Sequence, residues 1–342
     1  MGQALTRWRP GRTARRLLWQ GGVSALFVAL ASRAIDLGAL REAIASADLR
    51  WAAPALLLFT TAKYVDSWRW RYLLRGVRPL PQHALFGAFL IGNMVNNLLP
   101  LRAGDVAKVQ VLGLRYGAPR ASLAASVFVV EATLDGVVFL LFLAVSLAFF
   151  DPGDLPDAGI VTLVVAATVA FVTALLLSRS PRAVDRLSIR LPARWRATAR
   201  SLTGDLYDGL HALRAWPRTL GAVAFSVPAW LLEAGMFALF GRAFGLELGF
   251  PTFVAVMVAA NLAVAVPVAL WNFGPYEVLV AGVLVAGGVA EGTALSYALT
   301  VHLLSNLWIE ATGLAAFAAL RVSPRELFTL AATPAGPPRG PL

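Results

Sequence analysis

Apolar runs dominate the chain, and its polar residues gather where those runs break. Six stretches, about 17–35, 51–74, 121–150, 158–177, 218–243 and 293–320, approach or exceed the roughly 20 residues that a helix needs to cross a bilayer. Two more, about 83–118 and 250–291, carry polar breaks at similar places in the two halves. The first reads Asn93-x-x-Asn96-Asn97-x-x-Pro100-x-Arg102-x-Gly104-Asp105-x-x-Lys108, and the second Asn261-x5-Pro267-x4-Asn272-x-Gly274-Pro275-x-Glu277. Pro100 stops a helix and Gly104 permits a tight turn. Backbone that leaves the helix in a membrane survives only where protein or a water-filled cavity shelters it. Matched breaks in two halves point to a transporter's substrate site.

Composition fixes the class. Hydrophobic residues make up 58% and charged residues 14%, with a mean hydropathy of +0.69, so an all-α integral membrane protein is expected. The absence of cysteine excludes disulfides and thiolate sites, and three scattered histidines (His83, His211, His302) make a zinc site improbable. Neither a metal nor any other cofactor is expected. The net charge of +11 fits basic cytoplasmic loops better than a nucleic-acid partner. Arg7, Arg9, Arg12, Arg15 and Arg16 precede an apolar run without a cleavage site, which reads as a retained first span.

Charge also sets topology. The linker 178–218 holds nine arginines and belongs inside, whereas the acidic linker 151–157 suits the outside. If 83–118 and 250–291 each enter and return on one side, the cytoplasmic segments collect 21 Lys/Arg, including the Arg69–Arg78 loop, and the external loops 4. Two fully crossing hairpins would preserve the same parity. Arg102, Asp105, Lys108 and Arg115 favour re-entrance of the first, because a charge at the bilayer centre costs about 2.5–3.5 kcal/mol on insertion scales. The chain then divides into a basic cytoplasmic N-terminus (1–16), a first membrane repeat (17–150), the external linker (151–157), a second repeat (158–320) and a cytoplasmic, disordered tail (321–342). Three crossings per unit invert the second repeat relative to the first and set the two breaks face to face. In the basic linker, Val184, Leu187, Leu191 and Trp195 recur at helical steps, as in an interfacial helix or a solvated loop.

Several polar residues could carry function. Asn96, Asn97, Arg102, Asp105 and Lys108 in the first break, with Asn272 and Glu277 in the second, are candidate substrate ligands. Glu131 and Asp135 share one helix face four residues apart, and must find a cation, share a proton or border water. His302, Asn306 and Glu310 form a matching stripe after the second break. Lys63 and Asp66, three apart, suit a buried ion pair, and Glu233 sits in the corresponding span of the second half. Arg69 and Arg71 read equally as snorkelling anchors or ligands. Trp8, Trp51, Trp68 and Trp70 fit an interfacial aromatic belt. A polar lock between helices, without transport duty, is the competing explanation for these groups.

Four stretches carry a family resemblance: Ser67-Trp-Arg69-Trp-Arg-Tyr-Leu-Leu74, Gly92-Asn93 through Lys108, Glu131-x-x-x-Asp135, and Pro267 to Gly274-Pro275-Tyr276-Glu277. At these residues the chain resembles the flippase-like transmembrane family of the lysylphosphatidylglycerol synthases, over roughly 15–320. It departs at Ala132, where the family often has arginine, and in the glycine-poor Val268–Phe273, which bears on lipid preference and on the charge partner of Asp135. About 20 residues follow the last span, so lysyl transfer is not expected. The resemblance implies movement between leaflets of anionic phospholipids, or of lipid-linked polyprenyl-phosphate or hopanoid-related intermediates, in the cell (inner) membrane. Membrane lipids are the expected partners, with lipid-biosynthesis enzymes as candidates. Two other classes compete: an integral membrane transferase acting on a lipid-phosphate, and a non-transporting assembly factor. No phosphate-binding loop motif is present for ATP drive.

Overall fold

The computed structural model describes residues 45, 47–74, 79–99, 103–119, 123–124, 132–149, 216–265 and 272–322. The expected spans 17–35 and 158–177, the external linker 151–157, the interfacial helix around Val184–Trp195, the tail from 323, and Pro100, Arg102, Glu131 and Pro267 lie outside these residues. Among the described residues the secondary structure is all helical. It comprises α1 (Ala52–Leu73), α2 (Gln82–Leu98), α3 (Ala103–Tyr116), α4 (Ala132–Phe149), α5 (Trp216–Ala243), α6 (Phe250–Ala265), α7 (Pro275–Ala286) and α8 (Glu291–Leu320).

Lengths separate the helices into two kinds. Helices α5 and α8, with 28 and 30 residues, are long and apolar enough to cross a membrane. Helix α1 has 22 residues but carries Lys63, Asp66, Arg69 and Arg71. The arms of the two hairpins are shorter: 17 and 14 residues in α2 and α3, 16 and 12 in α6 and α7. At 1.5 Å per residue α2 and α7, both of whose ends are described, reach only about 26 and 18 Å, short of a hydrocarbon core of about 30 Å.

Helices α1 and α5 run antiparallel over most of their length. Lys63 meets Glu233, Arg69 meets Ser226, and the backbone N–H of Asp48 bonds Ala243 O at 2.8 Å. Small residues allow this approach, as in membrane helix pairs generally: a Cβ on Gly235 would press on Leu58, and one on Gly221 would meet the Tyr72 ring. Around this pair the packing is crossed. Hairpin arm α2 packs on α8, the last helix of the second half, while arm α6 packs on α4, the last helix of the first. Two apolar cores follow. One joins α1, α4, α5, α6, α7 and α8 around Phe240, Met257 and Tyr297; the other joins α2, α3 and the end of α8 around Leu85, Ile91 and Leu112. The outward faces stay apolar, with Leu57, Leu141, Val278, Leu303, Leu307 and Leu314 exposed, as lipid requires.

Helix α2 ends at Leu98, where Leu99 turns extended (φ −121°, ψ 140°). Gly104 does not make the expected turn. It is the second residue of α3, and a Cβ there would land on the carbonyl oxygen of Gly92 in α2. Its role is the close approach of two backbones. In the second hairpin the turn chemistry is real: Asn272 has φ 55° and Gly274 φ 98°, and Pro275 opens α7.

Gly104→Ala should therefore lower the stability of the detergent-solubilised protein by about 1–3 kcal/mol, the cost of forcing bulk into a filled contact. Gly249→Ala, whose Cβ would make only an ordinary 3.5 Å contact with Pro251, should change it by less than about 0.5 kcal/mol. Thermal unfolding of both variants checks the contrast.

Candidate functional site

The polar residues singled out in the sequence form five linked contacts inside the bundle. Lys63 Nζ donates to Glu233 Oε2 at 2.7 Å, and Asn261 Nδ2 donates to Glu233 Oε1 at 3.0 Å, joining α1, α5 and α6. Asp66 is not the partner of Lys63. It lies 3.8 Å from Arg69, which also pairs with Asp135 of α4 and donates to Ser226 of α5 at 3.0 Å. Arg69 is 1% exposed. It belongs to α1 and is neither a loop residue nor a snorkelling anchor. It also supplies the cation for Asp135 where the neighbouring Ala132 cannot. Trp70 likewise leaves the expected belt: it is buried and packs edge-on against Phe89. Trp51 and Trp68 keep partners that suit an interface, stacking under Arg242 and Arg71.

In the first hairpin, Asn96 Oδ1 accepts the Gly104 N–H at 2.7 Å, satisfying one of the free donors at the start of α3. Its amide reaches Asp105 Oδ1 at 3.4 Å. Asp105 is the third residue of α3, where a carboxylate suits the amino-end dipole, and it holds Lys108 at 3.2 Å. Lys108 in turn lies 4.3 Å from the Phe89 ring centroid and 5.4 Å from that of Trp70. Asp105 and Lys108 are each 3% exposed, so they brace the tip from within.

The second hairpin repeats this construction with different chemistry. Glu277 is the third residue of α7, and its Oε2 accepts the Gly274 N–H at 2.6 Å. Its Oε1 lies 2.6 Å from His302 Nδ1 of α8. The imidazole stacks on Tyr276, with centroids 3.9 Å apart, and meets the Phe273 ring at 4.8 Å. Asn272, half-buried beside this turn, has a conformational reason for being asparagine, since few other side chains tolerate its left-handed backbone.

Helix α8 fastens both tips. Asn97, at the end of α2, donates to Glu310 Oε1 at 3.0 Å, and Glu277 meets His302. Gly87 faces Leu320 and Met94 faces Gly313, so the first hairpin approaches from the carboxyl end of α8. The second approaches from its amino end, through the Gly287–Gly288 turn. The contacts lie eight residues apart, either side of the helix midpoint. Between them, Asn306 is 4% exposed, and its Nδ2 has no hydrogen-bond partner among the described residues. The expected stripe of His302, Asn306 and Glu310 is thus the element that both breaks touch. Arg102 and Glu131 lie outside the described residues.

Sequence reasoning gave no role to Ser226 or Asn261. Ser226 stands two residues before Pro228, inside an apolar helix, and Asn261 opens the second break motif. A hydroxyl or amide within an apolar helical run is the signal that could have found both.

An all-helical bundle with apolar outer faces and buried polar contacts at two broken hairpins is the architecture of a polytopic membrane protein. The chain belongs to the family of the lysylphosphatidylglycerol synthase TM region, whose model matches residues 17–313. It is similar to a UPF0104 membrane protein of Methanothermobacter thermautotrophicus, 26% identical over 291 residues that cover 80% of this chain and 84% of that protein. No solved structure matches the chain.

Breaking one buried ion pair leaves the other charge stranded, at about 3–5 kcal/mol. Lys63→Met and Glu233→Gln should each destabilise the detergent-solubilised protein to that extent. Combining them should recover about 1–3 kcal/mol, the coupling of groups in direct contact. A double-mutant cycle on unfolding measures it.

Proposed function

We propose that the protein is a flippase-like lipid transporter, moving an anionic phospholipid or a lipid-linked polyprenyl-phosphate or hopanoid-related intermediate between leaflets. The observation that carries this reading is the meeting of two broken hairpins, approaching from opposite ends, at the middle of one helix through Asn97–Glu310 and Glu277–His302. The headgroup sits between the tips against Asn97, Asn272, Asn306 and Glu310, while its chains remain in lipid. Asp105 and Lys108 hold the first tip in shape. Glu233, bound to Lys63 of α1, and Ser226, bound to Arg69, fasten the halves, while Asp135 ties Arg69 to α4 within the first half. The chain itself is a transporter and not an enzyme, acting on membrane lipids beside the enzymes that make them.

Inverted repeats of three spans and a re-entrant hairpin underlie the mechanism. Support comes from the antiparallel pairing of α1 with α5, the second spans of the two halves, and from the exchanged packing of α2 on α8 and α6 on α4. The short hairpin arms favour re-entrance over full crossing. Six spans place both termini on the cytoplasmic side of the cell membrane. Rocking of one repeat against the other exposes the midplane to each leaflet in turn.

The test is reconstitution. Labelled phosphatidylglycerol, or a labelled polyprenyl phosphate, should become accessible to an impermeant quencher faster in vesicles holding the protein than in protein-free vesicles. Asn97→Ala and Glu310→Ala should each slow this by about tenfold, the worth of one interhelical hydrogen bond of about 1–2 kcal/mol. No movement above control for any lipid class would sink the reading. Single cysteines replacing Asp154 and Arg196 in this cysteine-free chain should label from opposite faces.

A further inference from the structure

The two hairpins place a carboxylate at the same point, the third residue of the returning helix, and bury it to the same degree: Asp105 is 3% exposed and Glu277 4%. Their partners differ in kind. Asp105 faces the ammonium group of Lys108 at 3.2 Å. Glu277 faces His302, which carries charge only when protonated. The first pair thus joins a carboxylate to an amine, whereas the second is neutral or anionic according to one proton on the imidazole.

From this asymmetry we infer that Glu277–His302 is a proton-binding site and that lipid movement is coupled to its loading. This inference rests on the transport reading above and deepens it by naming the coupling ion. With a neutral imidazole, Nδ1–H donates to Glu277 and the buried pair carries one negative charge. Uptake of one proton at Nε2 gives an imidazolium–carboxylate pair with no net charge. Burial in apolar surroundings makes that difference large. The same carboxylate caps the Gly274 N–H at 2.6 Å, and the imidazole is packed between Tyr276 and Phe273. Proton occupancy therefore alters the contact that holds the second hairpin to α8. The other ionisable groups tied to it are Tyr276 of α7, which interacts with Glu277 and with Glu233 of α5, Tyr297 of α8, which interacts with Tyr276, and Lys63 of α1, the partner of Glu233. Helix α6 supplies the uncharged Asn261. Of this set, His302 is the imidazole, the side-chain type most suited to taking up and releasing a proton near neutral pH.

Two measurements test it separately. Nitrogen-15 NMR of histidine-labelled full-length protein in nanodiscs reads the protonation directly. The chain has three histidines, so His83→Gln and His211→Gln assign the third signal by elimination. The His302 signal should switch between its neutral and protonated forms across the physiological pH range, and Glu277→Gln should alter that response. A His302 signal fixed in one state across that range overturns the proton site, whether or not the protein moves lipid. The second measurement uses phosphatidylglycerol–phosphatidylcholine vesicles with labelled phosphatidylglycerol and an imposed gradient of one pH unit. One proton per lipid allows up to about tenfold accumulation of label in one leaflet. In His302→Gln the distribution should be the same with and without the gradient, and a gradient response as large as wild type overturns the coupling. Titration of His302 without lipid movement in any vesicle overturns the coupling and the transport reading together, leaving the proton site standing.

Discussion

One constraint governs the two hairpin tips: hydrocarbon offers no hydrogen bonds, so a broken helix must find its partners within the protein. Helix α8 is where the constraint is met for both breaks. Its twelfth and twentieth residues, His302 and Glu310, reach the second and first hairpin tips. The tips also satisfy themselves, through Asn96 on the Gly104 N–H and Glu277 on the Gly274 N–H. Local satisfaction keeps each turn intact, and the contacts to α8 fix where it sits. The close passage of Gly104 over Gly92 follows from the same requirement, because Asn96 reaches across only if the two arms nearly touch.

Much of this was legible in the sequence. The apolar runs placed α1, α5 and α8 within two residues of their observed ends, because proline, glycine and charge mark the boundaries of helices in an apolar chain. The stripe of His302, Asn306 and Glu310 was visible because four-residue steps hold one helix face in register. Partners across helices were not visible. Lys63 and Asp66 stand three apart and suggest each other, yet Lys63 binds Glu233, 170 residues away, because α1 and α5 lie antiparallel at that level. Arg69 and Trp70 read as membrane-surface residues since they fall near the end of a span, but there α1 is covered by α2, α4 and α5. Periodicity identifies the inward face of a helix and is silent on which helix lies opposite.

The contacts also differ in how firmly they hold. Helix α1 holds two cations bound to carboxylates, the half-buried Lys63 to Glu233 of α5 and the buried Arg69 to Asp135 of α4, and losing a partner costs up to about 3–5 kcal/mol where the pair is fully buried. The first hairpin is tied to α8 by an amide–carboxylate bond, Asn97 to Glu310, and interhelical bonds of this kind are worth about 0.6–2 kcal/mol. Apolar packing of α2 on α8 adds to it, in part through close contacts of Gly87 with Leu320 and of Gly313 with Met94. On the transport reading this division has a consequence. The ion-paired helix α1 is the stiff axis of the molecule, and the tips are the parts released at a cost of a few kcal/mol. A lipid headgroup that offers Asn97 or Glu310 a replacement hydrogen bond recovers much of that cost at the moment the tip lets go. Release of the tip and capture of the headgroup are then one exchange of partners, and a tip with nothing to bind stays fastened to α8.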